Sequence, residues 1–136
     1  MIHITALDHL VLRVRDLETM LNFYRDILGC PLERAKEELG LYQLRAGSSL
    51  IDLVTVDGKL GKAGGAAPGR EGHNLDHFCL RLDPFDAEAI RRYLSSQGIE
   101  AGEVERRYGA DGIGPSIYVL DPEGNTVELK GPPDAA

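Results

Sequence analysis

LDHLVLRV at residues 7–14 returns as LDHFCLRL at residues 75–82. Five of the eight positions are identical: Leu7/Leu75, Asp8/Asp76, His9/His77, Leu12/Leu80 and Arg13/Arg81. The offset of 68 is half of the 136 residues. A repeat on that scale predicts one unit used twice. The segments after the two octapeptides agree. The first is succeeded by DLETMLNFYRDILG, with Leu17, Met20, Leu21, Tyr24, Ile27 and Leu28 at the spacing of an amphipathic helix. Asp16 is its N-cap, Gly29 its C-terminal stop, and Pro31 prevents continuation. The second is succeeded by FDAEAIRRYLSSQG, with Ala89, Ile90, Tyr93 and Leu94 on one face, Asp86 as cap and Gly98 as stop.

Strand-like runs come after each helix. In the first half they are 41–46 and 49–56, with a weaker one at 32–35; in the second they are 116–121 and 126–130, with a weaker one at 104–108. Ala46-Gly47-Ser48 and residues 121–125 read as hairpin turns. Each unit is therefore βαβββ. The expectation is one α+β domain over 1–136, with repeat units 1–56 and 75–131. They are joined by the glycine-rich segment 57–74, expected to be a mobile crossover with little to pack. The closing GPPDAA is expected to fray.

Composition limits the function classes. A net charge of −7 and a pI near 5.0 disfavour nucleic acid and anionic membranes, both of which need a basic face. No apolar run is long enough for a membrane span. Two distant cysteines, Cys30 and Cys79, form no disulfide framework or CxxC motif, which points to a cytoplasmic protein.

Side chains alternate across a strand, so His9, Val11 and Arg13 share one face while Leu10, Leu12 and Val14 share the other. The apolar set packs on the helix. His77, Cys79 and Arg81 oppose Phe78, Leu80 and Leu82 in the same way. Asp52 and Glu128 lie in the last strands of their units. Each unit thus offers one histidine and one carboxylate on its helix-free face. His9, Asp52, His77 and Glu128 together form a donor set suited to a divalent first-row metal. The competing reading is that polar residues on a half-covered sheet are merely solvated. His3 and His73 lie outside the repeat phase and are read as surface residues, and Cys79 as a core-edge residue or pocket wall. Asp8 and Asp76, before each histidine, suggest only strand-end hydrogen bonding.

The stretches LDHLVLRVRDLETMLNFYRDILGCPLE, LDHFCLRL and YVLDPEGNTVEL resemble the vicinal-oxygen-chelate superfamily over residues 7–130. The resemblance implies paired βαβββ modules forming a curved, cup-like sheet, helices on its outer face, around a metal. It carries the ligands onto His9, Asp52, His77 and Glu128. Among members the chain looks most like glyoxalase I, which implies isomerisation of the hemithioacetal of an α-ketoaldehyde and glutathione, through a metal-stabilised enediolate, into a hydroxyacyl thioester. Glu128 would be the proton shuttle, and Arg13, and also Tyr118, substrate ligands. The metal would be Ni, Zn, Co, Mn or Fe, and the assembly a homodimer with sites at the interface. Two departures stand out. Asp52 replaces the usual glutamate, and Val56 an asparagine that contacts glutathione. Alternatives are a fosfomycin-type thiol transferase sharing His9, His77, Glu128 and Tyr118, an epimerase, an extradiol dioxygenase, and a metal-free drug-binding module.

Overall fold

Each octapeptide opens a four-stranded mixed sheet. A computed structural model describes residues 1–135, which divide into two units, the first running from Met1 to Asn74 and the second starting at Leu75. In the first, β1 (His9–Val14) pairs parallel with β4 (Ser49–Thr55). β4 in turn pairs antiparallel with β3 (Leu41–Ala46), and β3 with β2 (Leu32–Lys36), giving the order β1-β4-β3-β2. The second repeats this as β5-β8-β7-β6, from β5 (Phe78–Arg81), β8 (Thr126–Lys130), β7 (Gly112–Leu120) and β6 (Glu105–Gly109). The fold is α+β, built from two βαβββ modules. Each carboxylate-bearing strand, β4 or β8, lies inside its sheet with a partner on both edges.

The first helix starts where expected. Asp16 accepts a hydrogen bond from the Thr19 amide at 3.2 Å, satisfying one of the amides that a helix start leaves unpaired. α1 (Leu17–Leu21) then widens into a π-helical turn over Asn22–Ile27 and stops at Gly29, whose φ of +81° suits glycine. The wider turn changes the inward stripe. Phe23 is fully buried beside Tyr24, while Leu17 and Leu28 stay half-buried, in place of the simple 3.6-residue pattern. α2 (Ala87–Ser96) is capped by Asp86, which accepts from the Ala89 amide at 3.1 Å. Only Leu94 of its stripe is fully covered, and Tyr93 faces solvent. Among the described residues no helix is long and apolar enough to cross a membrane.

The cores differ in content. Leu12, Val14, Met20, Phe23, Tyr24, Leu44 and Leu53 are completely buried in the first unit. Each large aliphatic side chain removed from water in this way contributes about 1.5–3 kcal/mol. The second unit buries Phe78, Leu94, Ile117, Val119, Val127 and Leu129, together with five polar residues: Ser116, Asp121, Asn125, Glu128 and Lys130. Asp121 and Asn125 satisfy one another across the β7–β8 turn at 2.8 Å.

Two expectations are corrected. Segment 57–74 is not a loose crossover; it is part of the first unit and is tied to β1 and β4. Its glycines admit close backbone approach, which is why a composition with few packing side chains still packs. The end of the chain is also held. Gly131 donates to the Pro115 carbonyl at 2.8 Å and Asp134 to that of Ile113 at 2.6 Å; residue 136 lies outside the described residues.

Candidate functional site

Alternation along β1 places the polar face as expected. Leu12 and Val14 are buried, whereas His9 and Val11 are exposed. In the register, Val11 stands opposite Asp52, and Asp52 opposite Gln43. Asp52 is buried, and the Gln43 side-chain amide donates to both of its oxygens at 3.2 Å. Gln43 accepts in turn from Arg34 at 2.9 Å. The negative charge of Asp52 and a hydrogen bond to Asp8 together bear on His9. The Asp8 bond is the larger influence, and both raise the imidazole above its ordinary pKa.

The equivalent row in the second unit runs Cys79, Glu128, Tyr118. Glu128 is 6% exposed, with its Oε1 3.4 Å from His77 Nε2. The His77 and Tyr118 rings meet edge to face with centroids 5.5 Å apart, and the Arg107 guanidinium lies 4.1 Å over the other ring's centroid, that of Tyr118. Arg107 is fixed there by Ser116, through the hydroxyl at 2.6 Å and the carbonyl at 3.2 Å. Cys79 is pushed up to about 11, first by partial burial and then by the Glu128 carboxylate, so its thiol stays protonated at neutral pH.

Both histidines share a feature. His9 Nδ1 lies 2.8 Å from Asp8 and His77 Nδ1 2.6 Å from Asp76. Opposite a carboxylate, Nδ1 is the donor, so each ring is oriented by its aspartate and presents Nε2 on its other side, where that of His77 faces Glu128. Metal-binding histidines are commonly oriented this way. The Asp-His dipeptide in both repeats is a sequence signal for this, although by itself it suggests only strand-end hydrogen bonding. Gln43 and Arg107 had no comparable signal, because they reach the site only through sheet register.

The two buried carboxylates are the groups that bear on a metal. Asp52 and Glu128 are buried carboxylates, and among the described residues no lysine or arginine forms an ion pair with either. A buried charge is costly without a counter-charge. Each unit joins two donors, His9 with Asp52 and His77 with Glu128. Among the described residues, no group of three or more histidine, cysteine, aspartate or glutamate side chains is gathered for a metal.

Arg13 is placed differently from its expected role as a substrate ligand. Its guanidinium donates to four backbone carbonyls: Gly61 at 2.9 Å, Gly64 at 3.2 Å, Gly65 at 2.8 Å and Ala66 at 3.0 Å. Its repeat equivalent, Arg81, pairs with Asp111 at 2.6 Å on the surface.

Residues 6–129 match the family model of the glyoxalase/bleomycin resistance protein/dioxygenase superfamily. The chain is 32% identical over 127 residues to virulence protein STM3117 of Salmonella typhimurium, covering 93% of this chain and 83% of that protein. The crystal structure of STM3117 superposes with a TM-score of 0.78, covering 96% of this chain and 99% of the other, at 27% identity. Glutathione transferase FosA of Serratia marcescens is 28% identical over 124 residues, 91% of this chain and 79% of that enzyme. A lactoylglutathione lyase from Agrobacterium tumefaciens shares the fold, with a TM-score of 0.69 at 21% identity, covering 95% of this chain and 95% of that one.

Proposed function

The chain belongs to the glyoxalase/bleomycin resistance protein/dioxygenase superfamily, and from that premise we propose a divalent-metal enzyme of glyoxalase I type. Its substrate is the hemithioacetal of an α-ketoaldehyde and a glutathione-like thiol. The observation that carries this reading is the duplicated pair: in each unit, a histidine oriented by an aspartate accompanies a buried carboxylate. The proposed ligands are His9, Asp52, His77 and Glu128. When bound, the metal supplies charge stabilisation to oxygens on adjacent carbons.

The chain's own groups do the rest. Glu128 takes the proton from the carbon bearing sulfur and returns it to the neighbouring carbon, while the hydroxyl proton of the first carbon passes to the oxygen of the second. The hydroxyl becomes the thioester carbonyl and the ketone becomes the hydroxyl, an isomerisation with no net oxidation. Asp8 and Asp76 bond Nδ1 of the two imidazoles and so orient the rings, with Nε2 on the side away from the aspartate. The Tyr118 ring, flanked by His77 and Arg107, forms one wall beside Glu128. Metal identity follows availability and the donor set, with Ni, Zn, Co, Mn and Fe all compatible. A homodimer is the proposed assembly, and a cytoplasmic setting suits both the thiol chemistry and the two free cysteines.

A second reading is a thiol transferase. It is favoured by the likeness to FosA and by Tyr118 next to Glu128 in the register. There a thiol sulfur would bond to an epoxide carbon as that carbon's bond to oxygen breaks.

Metal analysis of the purified protein, with a subsequent screen of hemithioacetals of glutathione and of shorter thiols for thioester formation, tests the proposal. Stoichiometric divalent metal and thioester product are expected. Product from fosfomycin and glutathione instead would select the second reading. Protein that binds no stoichiometric metal, and whose fold is indifferent to chelator, would sink both.

A further inference from the structure

Arg13 and the segment 57–74 form a device that the proposed reaction leaves unused. The guanidinium's four hydrogen bonds to the carbonyls of 61, 64, 65 and 66 account for both terminal nitrogens. Among the described residues its Nε is buried with no partner. The far end of the segment returns to the same residue. The Asn74 side chain accepts from the Arg13 amide and donates to the Arg13 carbonyl, both at 3.0 Å. The path is possible only because of its glycines. A Cβ on Gly64 would lie 2.4 Å from Arg13 Cζ, and one on Gly61 would lie 1.8 Å from the Thr55 carbonyl oxygen. The segment is thus a strap fastened at both ends to one arginine, over the Val14–Thr55 end of the sheet.

Arg13 is on the helix-free face with His9 and Val11. Its Cα is four residues from that of His9, about 13 Å along a strand. We propose that Arg13 is a positioning residue. It fixes strap 61–66 as a wall across the far end of the His9–Asp52 face and so limits the length of ligand that lies there. The ligand class is a thiol conjugate, which rests on the function proposed above. A guanidinium with four carbonyl acceptors has little capacity left for a substrate carboxylate, so short conjugates are preferred to glutathione-sized ones.

Two readouts test this in the full-length, metal-loaded protein. The first is tryptic cleavage after Lys62, inside the strap. Opening of the strap controls its rate, and Arg13→Ala is expected to raise it about tenfold or more. Gly64→Ala, which displaces the guanidinium and keeps its charge, should act in the same direction. Arg13→Lys, with too few donors for four carbonyls, should fall between. Circular dichroism confirms that each variant is folded. The second is calorimetric affinity for S-substituted cysteine and S-substituted glutathione. Wild type should favour the cysteine conjugate, and Arg13→Ala should improve glutathione-conjugate binding by about tenfold with little change for cysteine.

Unchanged cleavage in Arg13→Ala would overturn the anchoring. Weaker glutathione-conjugate binding in that variant would show a salt link to substrate and overturn the wall, as would failure of wild type and variants to bind either conjugate. Failure of the proposed reaction is read separately, from metal content and turnover.

Discussion

Asp52 in the first unit is held by the amide of Gln43, whereas Glu128 in the second lies among an imidazole, a phenol ring and a thiol. The strand order is the same and the histidine stands at the start of the opening strand in the first unit and one residue before it in the second, yet the surroundings have diverged. In the first unit the carboxylate's lone pairs already accept two hydrogen bonds and the interior is apolar. In the second, the carboxylate is buried among polar groups and its near neighbour is itself a metal-type donor. Duplication set the positions of the donors; divergence in the flanking strand decided how strongly each pair is committed to another partner. The second unit is therefore expected to dominate metal affinity.

Ligand substitutions test that asymmetry and carry the largest effect. His77→Ala and Glu128→Ala are each expected to lower metal affinity by about a thousandfold or more, since direct ligands exceed the roughly 10–100-fold typical of supporting groups. Asp52→Ala is expected to lose only about 10–100-fold, because its oxygens are partly engaged by Gln43. Competition titration against a metal-sensing dye measures both. Equal losses would remove the distinction, and unchanged occupancy in Glu128→Ala would refute the ligand assignment.

The helices allow the next comparison. Tyr24 and Tyr93 stand at matching places, five residues before Gly29 and Gly98, but Tyr24 is fully buried and Tyr93 is 46% exposed. Tyr24→Ala is expected to cost about 3–5 kcal/mol, as for other buried aromatics. Tyr93→Ala should cost under about 1 kcal/mol, the usual range for surface changes. Urea denaturation gives both values, and similar costs would mean that the exposed ring is covered in solution.

These tyrosines also show where sequence reading stops. Periodicity gave them the same phase, because pattern records spacing and not what arrives on the other side. The π-helical turn that buries Phe23 is equally silent in the pattern. The octapeptides, caps and glycine stops were readable because each acts locally, through alternation, a side chain bonded three residues on, or a positive φ. The strap was misjudged for the opposite reason. Its partners are backbone carbonyls, which every residue has, and the one informative side chain, Arg13, lies 48 residues or more from those it bonds.

The residues beside the carboxylates give smaller effects. Gln43→Ala removes the amide that donates to both oxygens of buried Asp52, and a stability loss of about 1–3 kcal/mol is expected in metal-free protein. Added metal should shrink that loss, because the cation then compensates the carboxylate. Tyr118→Phe keeps the ring that His77 and Arg107 contact, so it should change stability by less than about 0.5 kcal/mol. Thermal melts with and without chelator separate the cases. A loss in Gln43→Ala that metal leaves unchanged would argue that Asp52 is no ligand.

The smallest effect concerns protons on His9. Asp8, bonded to Nδ1, and then the charge of Asp52 favour the imidazolium and raise its pKa above the ordinary value near ~6.5. A raised folded-state pKa means that protonation favours the metal-free fold. The contribution is fully present below the unfolded-state pKa and is lost as pH rises through the folded one. Metal binding has the opposite slope, because the cation needs a neutral Nε2 and must displace that proton. Asp8→Asn should lower the His9 midpoint, so metal binding would persist to lower pH even though the ring is less firmly oriented. An NMR titration of metal-free protein reads the midpoint directly. A His9 midpoint at or below the ordinary value, or one unmoved by Asp8→Asn, would show that Asp8 does not govern this imidazole and that the Asp-His dipeptide orients nothing in the first unit.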